Sequence, residues 1–346
     1  MKFGLIGSGS WGTALAKLLT DNHNAINWWL RSDEKITNFK LRRRNPQYLR
    51  SAKFDTKLIK FSAKPEEVIA ASDIVLIAVP SAYVKEALRG LNKSVFDGKK
   101  ILSAVKGIIP DQNILLNDFL KEKFGVPIEN YFTVLGPCHA EEVAAEKLSY
   151  LTFSGVNKKS TEEIASYFAT PYLRTIQNSD VLGTQYAAVL KNIYAIGAGI
   201  AHGMGYGDNF LSVLIANSAD EMAGFLRKHG QHVEVGRVEH KFASENKERS
   251  VTNYAASVYL GDLLVTCYSL YSRNRTFGNM IGQGYSVKAA QLEMKMVAEG
   301  YNASKCIHII NENVKAEIPI ADTIYEILWK SLSPEKGFEK IESVLI

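Results

Sequence analysis

Cysteine is scarce and unpatterned in this chain: Cys138, Cys267 and Cys306 are the only three in 346 residues, with no C-x-x-C pair. That excludes a disulfide-framed scaffold, and reduced thiols in a cytoplasmic protein are the simplest account. No apolar run approaches the roughly 20 residues of a membrane span, so no membrane insertion is expected. A strand pattern starts at Phe3 without a basic-then-apolar leader, so no secretory segment is expected. Neither sign of charge dominates: 41 basic against 36 acidic side chains leave +5. That excess does not argue for nucleic acid, although it suits small anionic ligands. Internal repeats are absent too. The remainder is an ordinary globular composition, 46% hydrophobic and 22% charged, with length for about two domains.

What is present begins at once. Residues 1–12 read Met-Lys-Phe-Gly-Leu-Ile-Gly-Ser-Gly-Ser-Trp-Gly, and an apolar helical pattern continues through residue 19. Strand, glycine turn and helix in that order are the layout of a dinucleotide cradle. Gly7 permits the tight turn, Gly9 lets backbone N–H groups approach a pyrophosphate, and Gly12 allows helix and strand to pack closely. The helix N-terminus then faces the phosphates with unpaired amides. A ligand-free βα turn can carry the same glycines, so the flanking strand and helix bear the weight of the reading.

A second strand is expected over residues 25–30, ending at Arg31. An acidic residue at that point would hold a ribose 2′-hydroxyl, whereas a basic one accommodates a 2′-phosphate. With Arg31 there, and Asp33 and Glu34 slightly late, NADPH is the expected cofactor and NADH the alternative. Residues 38–64 are strongly basic, a solvated face or a means of concentrating a phosphorylated substrate. Further strands are expected at 74–79, 100–105 and 131–135, with helices at 83–91 and 114–124 between them. Lys106 follows one strand end, and Gly136, Cys138 and Ala140 follow another, at the edge where open α/β sheets bind ligands. Residues 149–154 and 172–177 add closing strands. The alternation specifies a doubly wound, Rossmann-like parallel sheet over residues 1–182.

Beyond residue 182 the texture is helical, and residues 183–346 read as an all-α substrate and catalytic domain. Residues 183–202 form a helix almost without charge, which should be buried. Gly197 and Gly199 each cost such a helix about 1 kcal/mol relative to Ala, so something must approach its backbone closely. Lys191 is its one lysine, expensive to bury unless paired or functional. Desolvation would pull its pKa down towards the range useful for proton transfer, which makes it a general acid/base candidate. His202, three turns on along the same face, is expected to be a packed histidine. The polar stretch 227–253 is expected to be a solvated excursion of low order; its histidines have no zinc-site spacing. Asp262 and Thr266 share a helix face, and Arg273 and Asn274 gather phosphate donors where that helix should end. Residues 278–284 read as a loop, 289–298 as a helix, and 304–332 as amphipathic packing helices.

Taken in order, these stretches resemble the bacterial NAD(P)-dependent glycerol-3-phosphate dehydrogenases. The shared pieces include Gly7-Ser-Gly-Ser-Trp-Gly12, Trp29-Leu-Arg31, Ala78-Val-Pro80, Lys106-Gly107, Gly136-Pro137 and Leu190-Lys191-Asn192. Gly207-Asp208-Asn209, Gly261-Asp262-Leu263, Ser272-Arg-Asn-Arg275 and Val297-Ala-Glu-Gly300 continue the match. The resemblance implies that Ser10, Trp11, Arg31, Ala140, Val297 and Glu299 line the dinucleotide site, with Lys106 and Arg273 also near cofactor. It implies that Lys106, Gly136 and Cys138 meet substrate, and that Lys191 exchanges the proton. Asp262 would position the site, while Ser272, Arg273 and Asn274 would hold the substrate phosphate. Cys138-His139 departs from the Ser-Phe that the family often has, and the charged stretch at 230–253 is longer than usual there.

The implied reaction is reversible reduction of dihydroxyacetone phosphate to sn-glycerol 3-phosphate, supplying glycerophospholipid synthesis. The implied partner is that small substrate, in a cytoplasmic homodimer. Two other readings stand beside it: a different two-domain dehydrogenase of a small acid or sugar phosphate, and a non-catalytic NAD(P) sensor. The sensor would bind cofactor without turnover and would leave a buried Lys191 unexplained.

Overall fold

Short apolar runs alternating with helices build the first unit, in a computed structural model that describes residues 1–230, 237–241, 248–252, 257–294 and 298–346. It runs β1 (Phe3–Ile6), α1 (Ser10–Asp21), β2 (Ile26–Trp29), α2 (Asp33–Arg42), β3 (Ile59–Ser62), α3 (Pro65–Ala70) and β4 (Ile74–Ile77). Then come α4 (Val84–Ala87), β5 (Lys100–Ser103), α5 (Leu116–Phe124), β6 (Tyr131–Leu135), α6 (Ala140–Ala144), β7 (Ser149–Ser154), α7 (Lys158–Ser166) and β8 (Leu173–Asn178). β1 and β4 are buried at every position, as strands covered on both faces must be. Phe3, Leu5, Trp28, Ile74 and Leu76 join the core with Leu15 and Leu19 of α1.

The sheet order is β10-β9-β8-β7-β6-β5-β4-β1-β2-β3, where β9 is Arg237–Lys241 and β10 is Glu248–Thr252. From β3 to β6 all neighbours are parallel, the 3-2-1-4-5-6 order of a dinucleotide-binding fold. Every loop after these six strands therefore leaves from one edge. The sheet is mixed beyond that point: β7 runs antiparallel to β6, and β9 antiparallel to β8. Strands β9 and β10 lie in the stretch expected to be a solvated excursion. Their sequences, Arg-Val-Glu-His-Lys and Glu-Arg-Ser-Val-Thr, are too polar to show an apolar run.

The second unit is built from α8 (Val181–Gly203), α9 (Asp208–His229), α10 (Asp262–Tyr268), α11 (Arg273–Gly282), α12 (Val287–Glu293), α13 (Glu299–Val314), α14 (Pro319–Trp329) and α15 (Pro334–Glu342). Residues 278–282, expected to be part of a loop, close α11 instead, and α12 ends five residues sooner than expected. The reason for the first difference is packing. A Cβ at Gly278 would lie 2.0 Å from the Ile196 carbonyl oxygen, and one at Gly199 would lie 2.1 Å from that of Arg275. Gly203 and Gly282 face each other's helices in the same way. Two backbones thus meet directly along four glycines, and that contact offsets their poor helix propensity.

The chain does not divide at a single point. The first unit takes Met1–Val105, Ile114–Val181 and Val238–Ser250; the second takes Lys106–Asn113, Leu182–Arg237 and Val251–Ile346. No boundary at 182 alone describes this exchange of segments. Among the described residues, no helix is long and apolar enough to cross a membrane.

Candidate active site

In the first unit the site begins at the turn between β1 and α1. Gly7 sits at φ +127°, and a Cβ there would be 2.4 Å from the Ala78 carbonyl oxygen, so conformation and space both demand glycine. At Gly12 a Cβ would strike the Gly7 carbonyl at 2.6 Å, which is the close helix–strand packing expected of it. Gly9 is the opposite case, with nothing among the described residues within 4 Å of an added Cβ. It is also the N-cap of α1 and offers no side-chain cap. The first-turn amides, Ser10 and Trp11 among them, are therefore set at an open mouth suited to an anion.

Arg31 is exposed just beyond β2, with its guanidinium 5.9 Å from the Tyr83 ring centroid. Asp33 and Glu34 are occupied otherwise. Ser32 caps α2 through a bond from the Lys35 N–H, and the two acids fill the first turn of that helix, where its dipole favours them. The strand end is thus left to a cation. The open space at Gly9, the start of α1 and the basic strand end suit the phosphates of a dinucleotide.

After β6, Gly136 adopts φ +137°. The Cys138 thiol, expected to meet substrate, is buried and donates to the Tyr150 carbonyl at 3.1 Å. Ala140 opens α6, which packs on α1.

In the second unit the charge-poor helix α8 places Lys191 deep in the interior. Its Nζ lies 2.5 Å from Oδ1 of Asp262, with the two side chains 4% and 1% exposed. Burial pushes the lysine pKa down to about 8, against the attraction of Asp262; the neighbouring Lys106 ammonium pushes it down further. Among the described residues the other carboxylate oxygen of Asp262 is buried with no hydrogen-bond partner, a costly state that a ligand hydroxyl would relieve. A wide π-helical turn, Ser257–Gly261, leads into α10 at Asp262; such turns often mark functional positions. Thr266 spends its hydroxyl on the Asp262 carbonyl at 2.6 Å.

A chain of amides ties this cluster together. Asn192 donates to the Lys106 carbonyl at 3.2 Å, Asn274 donates to Asn192 Oδ1 at 2.9 Å, and the Gly300 N–H donates to Asn274 Oδ1 at 2.9 Å. Arg273 and Asn274 do not close α10, as expected from the pattern; they open α11, capped by Ser272 through the Arg275 N–H at 3.2 Å. For an anion this is the better end of a helix. Arg273 is exposed, Ser272 and Asn274 are buried, and Glu299 opens α13. Val297 lies outside the described residues. His202, expected to be packed, is exposed at the end of α8.

Asn192 was the residue without an assigned role. Its signal was adjacency to Lys191, one step round a buried helix.

Known proteins match on both halves. A family model described as the NAD-dependent glycerol-3-phosphate dehydrogenase N-terminus matches residues 2–161, and one for the C-terminus matches residues 180–339. A glycerol-3-phosphate dehydrogenase (NAD(P)+) of Bacillus anthracis is 31% identical over 329 residues, covering 95% of this chain and 91% of that one. The solved glycerol-3-phosphate dehydrogenase of Coxiella burnetii superposes with a TM-score of 0.85 at 25% identity, covering 99% and 98% of the two chains. The enzyme of Saccharomyces cerevisiae, at 21% identity and a TM-score of 0.79 over 99% of each chain, shares the fold. A match that runs in order through both halves, at 31% identity to a relative covered for nine-tenths of its length, means that this chain belongs to the NAD(P)-dependent glycerol-3-phosphate dehydrogenases.

Proposed function

We propose that the chain reduces dihydroxyacetone phosphate to sn-glycerol 3-phosphate, reversibly, with Lys191 as proton donor and NADPH as preferred cofactor. The observation that carries the residue roles is the buried Lys191–Asp262 pair, 2.5 Å apart, with the lysine pKa near 8. The bound dinucleotide supplies the hydride. Lys191 donates its proton to the oxygen at C2 as negative charge develops there, and takes it back in the reverse direction. The charges of Lys106 and Lys191 stabilise that oxyanion in a water-poor setting. Asp262 holds the Lys191 ammonium in place, and its open oxygen can accept from a substrate hydroxyl. The N-terminus of α11, with Ser272, Arg273 and Asn274, receives the substrate phosphate. NADPH oxidation with dihydroxyacetone phosphate, set against a panel of small keto acids and other sugar phosphates, tests the assignment. Faster turnover of another carbonyl compound would replace it.

The proton role fixes the sign of the pH dependence. Reduction needs protonated Lys191, so its kcat/KM should hold below about pH 8 and fall above it; oxidation should rise through the same point. Asp262→Asn removes the largest influence that raises the lysine pKa and leaves desolvation and Lys106, which both lower it. The falling limb for reduction is therefore expected to move to lower pH in that variant. A limb that stays in place or moves up would show that Asp262 does not set the Lys191 proton affinity.

Arg31→Asp is expected to shift preference from NADPH towards NADH, because a carboxylate repels a 2′-phosphate and accepts from a 2′-hydroxyl. Equal kcat/KM values for both cofactors before and after the change would remove Arg31 from 2′-phosphate recognition.

The exposed apolar side chains Leu264, Tyr268, Leu270 and Tyr271 on and after α10 support a homodimer, which sedimentation equilibrium tests. Three buried thiols, none of them in a disulfide, support a cytoplasmic enzyme feeding glycerophospholipid synthesis. Depleting it in cells should lower glycerol 3-phosphate and phospholipid labelling together.

A further inference from the structure

Asn45 lies in the loop after α2 and is 4% exposed, yet the chemistry above gives it no task. Its amide is fully used. Nδ2 donates to the Ser8 carbonyl at 2.9 Å and to the Thr13 hydroxyl oxygen at 2.8 Å. Oδ1 accepts from the N–H groups of Gln47 and Tyr48 at 3.0 and 3.2 Å. The second pair winds the loop around the side chain as an Asx turn. The first pair reaches back to the glycine turn.

Three successive carbonyls of that turn are held in this manner. Gly7 O accepts from the Trp28 indole at 2.9 Å, and Ser8 O accepts from Asn45. Gly9 O accepts from both the hydroxyl and the N–H of Thr13, at 2.8 and 2.9 Å. The peptide bonds of this turn are trans, and in a trans peptide plane the carbonyl oxygen and the next N–H point in opposite directions. Holding these three oxygens against protein therefore turns the N–H groups of Ser8, Gly9 and Ser10 to the far side of their planes. Among the described residues none of the three donates to a protein acceptor, and the space over Gly9 is open.

We propose that Asn45 is a positioning residue for dinucleotide binding: with Trp28 and Thr13 it presets three adjacent backbone amides as donors to the pyrophosphate before the cofactor arrives. This rests on the dinucleotide reading of the glycine turn. The brace is drawn from three places, β2, α1 and the loop after α2, so it fixes the turn against the sheet, the helix and the loop at once. Preset donors spare the cofactor the cost of ordering the turn on binding.

Asn45→Asp keeps the acceptor for Gln47 and Tyr48, removes both donors and sets a carboxylate against the Ser8 carbonyl. Titration calorimetry of NADPH into the full chain is expected to show Kd weakened at least about tenfold, the scale of one lost hydrogen bond to a charged group. At saturating NADPH, kcat should stay within about twofold and KM for dihydroxyacetone phosphate should not change, since only cofactor binding is affected. Thr13→Val, which keeps the shape and removes the hydroxyl on Gly9 O, is expected to weaken NADPH in the same sense. An unaltered Kd in folded Asn45→Asp overturns the role, as does a fall of kcat in step with affinity. If Asn45→Asp fails to fold, an unaltered Kd in Thr13→Val overturns it. An unaltered chain that binds neither NADPH nor NADH overturns the reading of the turn itself.

Discussion

Lys191→Met is expected to lower kcat for dihydroxyacetone phosphate reduction by about 10³-fold, with cofactor affinity unchanged. General acid catalysis by a placed side chain is worth roughly 10² to 10⁴, and this side chain also brings a cation to the forming oxyanion. The loss should fall on kcat more than on KM, because the interaction is strongest in the transition state. The same variant should be less stable, for a separate reason. Asp262 is 1% exposed, and removing its cation leaves a buried carboxylate with neither oxygen paired, the costly half of a broken ion pair. Lys191→Met/Asp262→Leu should therefore recover the melting temperature while remaining inactive. Stopped-flow kinetics and calorimetry on the two variants separate chemistry from stability. Turnover in Lys191→Met within tenfold of the unaltered enzyme would remove the lysine from proton transfer.

Gly278→Val is expected to destabilise the second unit by about 3 kcal/mol or more, at the severe end for overpacking. A Cβ at Gly278 would sit 2.0 Å from a backbone oxygen, that of Ile196. No rotamer change relieves a clash with main chain, so α8 and α11 must part. The consequence for activity follows from what those helices carry: Lys191 and Asn192 on α8, Asn274 at the start of α11. Their amide chain cannot span a wider gap, so any folded fraction should also lose turnover. Gly224→Ala is the contrasting case. It lies within α9 with only the end of the Arg227 side chain nearby, at 3.9 Å, and should gain up to about 1 kcal/mol from helix propensity. Equal melting temperatures for the two variants would mean that the glycine contact does not govern this unit.

The residues that could be read from sequence are those whose physics is local. Gly7 and Gly12 announce a tight turn by type and spacing, and the shape of that turn is as read. Lys191 stands out because a lone cation in a charge-free helix is improbable without a partner. Gly197 and Gly199 within the same helix demand a close neighbour, and Ile324 and the Arg275 backbone are those neighbours. What was not legible is set by partners distant in sequence. Gly278 and Gly282 look like loop residues until the glycines of α8 are laid against them. The bond from the Cys138 thiol to the Tyr150 carbonyl needs β7 alongside β6, which spacing alone does not show. Asn192 acquires a purpose only beside Asn274, 82 residues away. Strands β9 and β10 are too polar for periodicity to reveal.

The exchange of segments between the two units bears on how the chain is made. Residues 106–113 emerge from the ribosome early, but they belong with a unit whose next segment begins at residue 182. Pro110 waits for Cys306, which it meets at 3.9 Å, and the Lys106 carbonyl waits for Asn192. A nascent chain released near residue 181 would hold its sheet without two strands and an eight-residue segment without its fold. The carboxyl-terminal half made alone would lack Lys106. Neither half carries both Lys106 and Lys191, so that cluster forms only after residue 191 has been added to the chain.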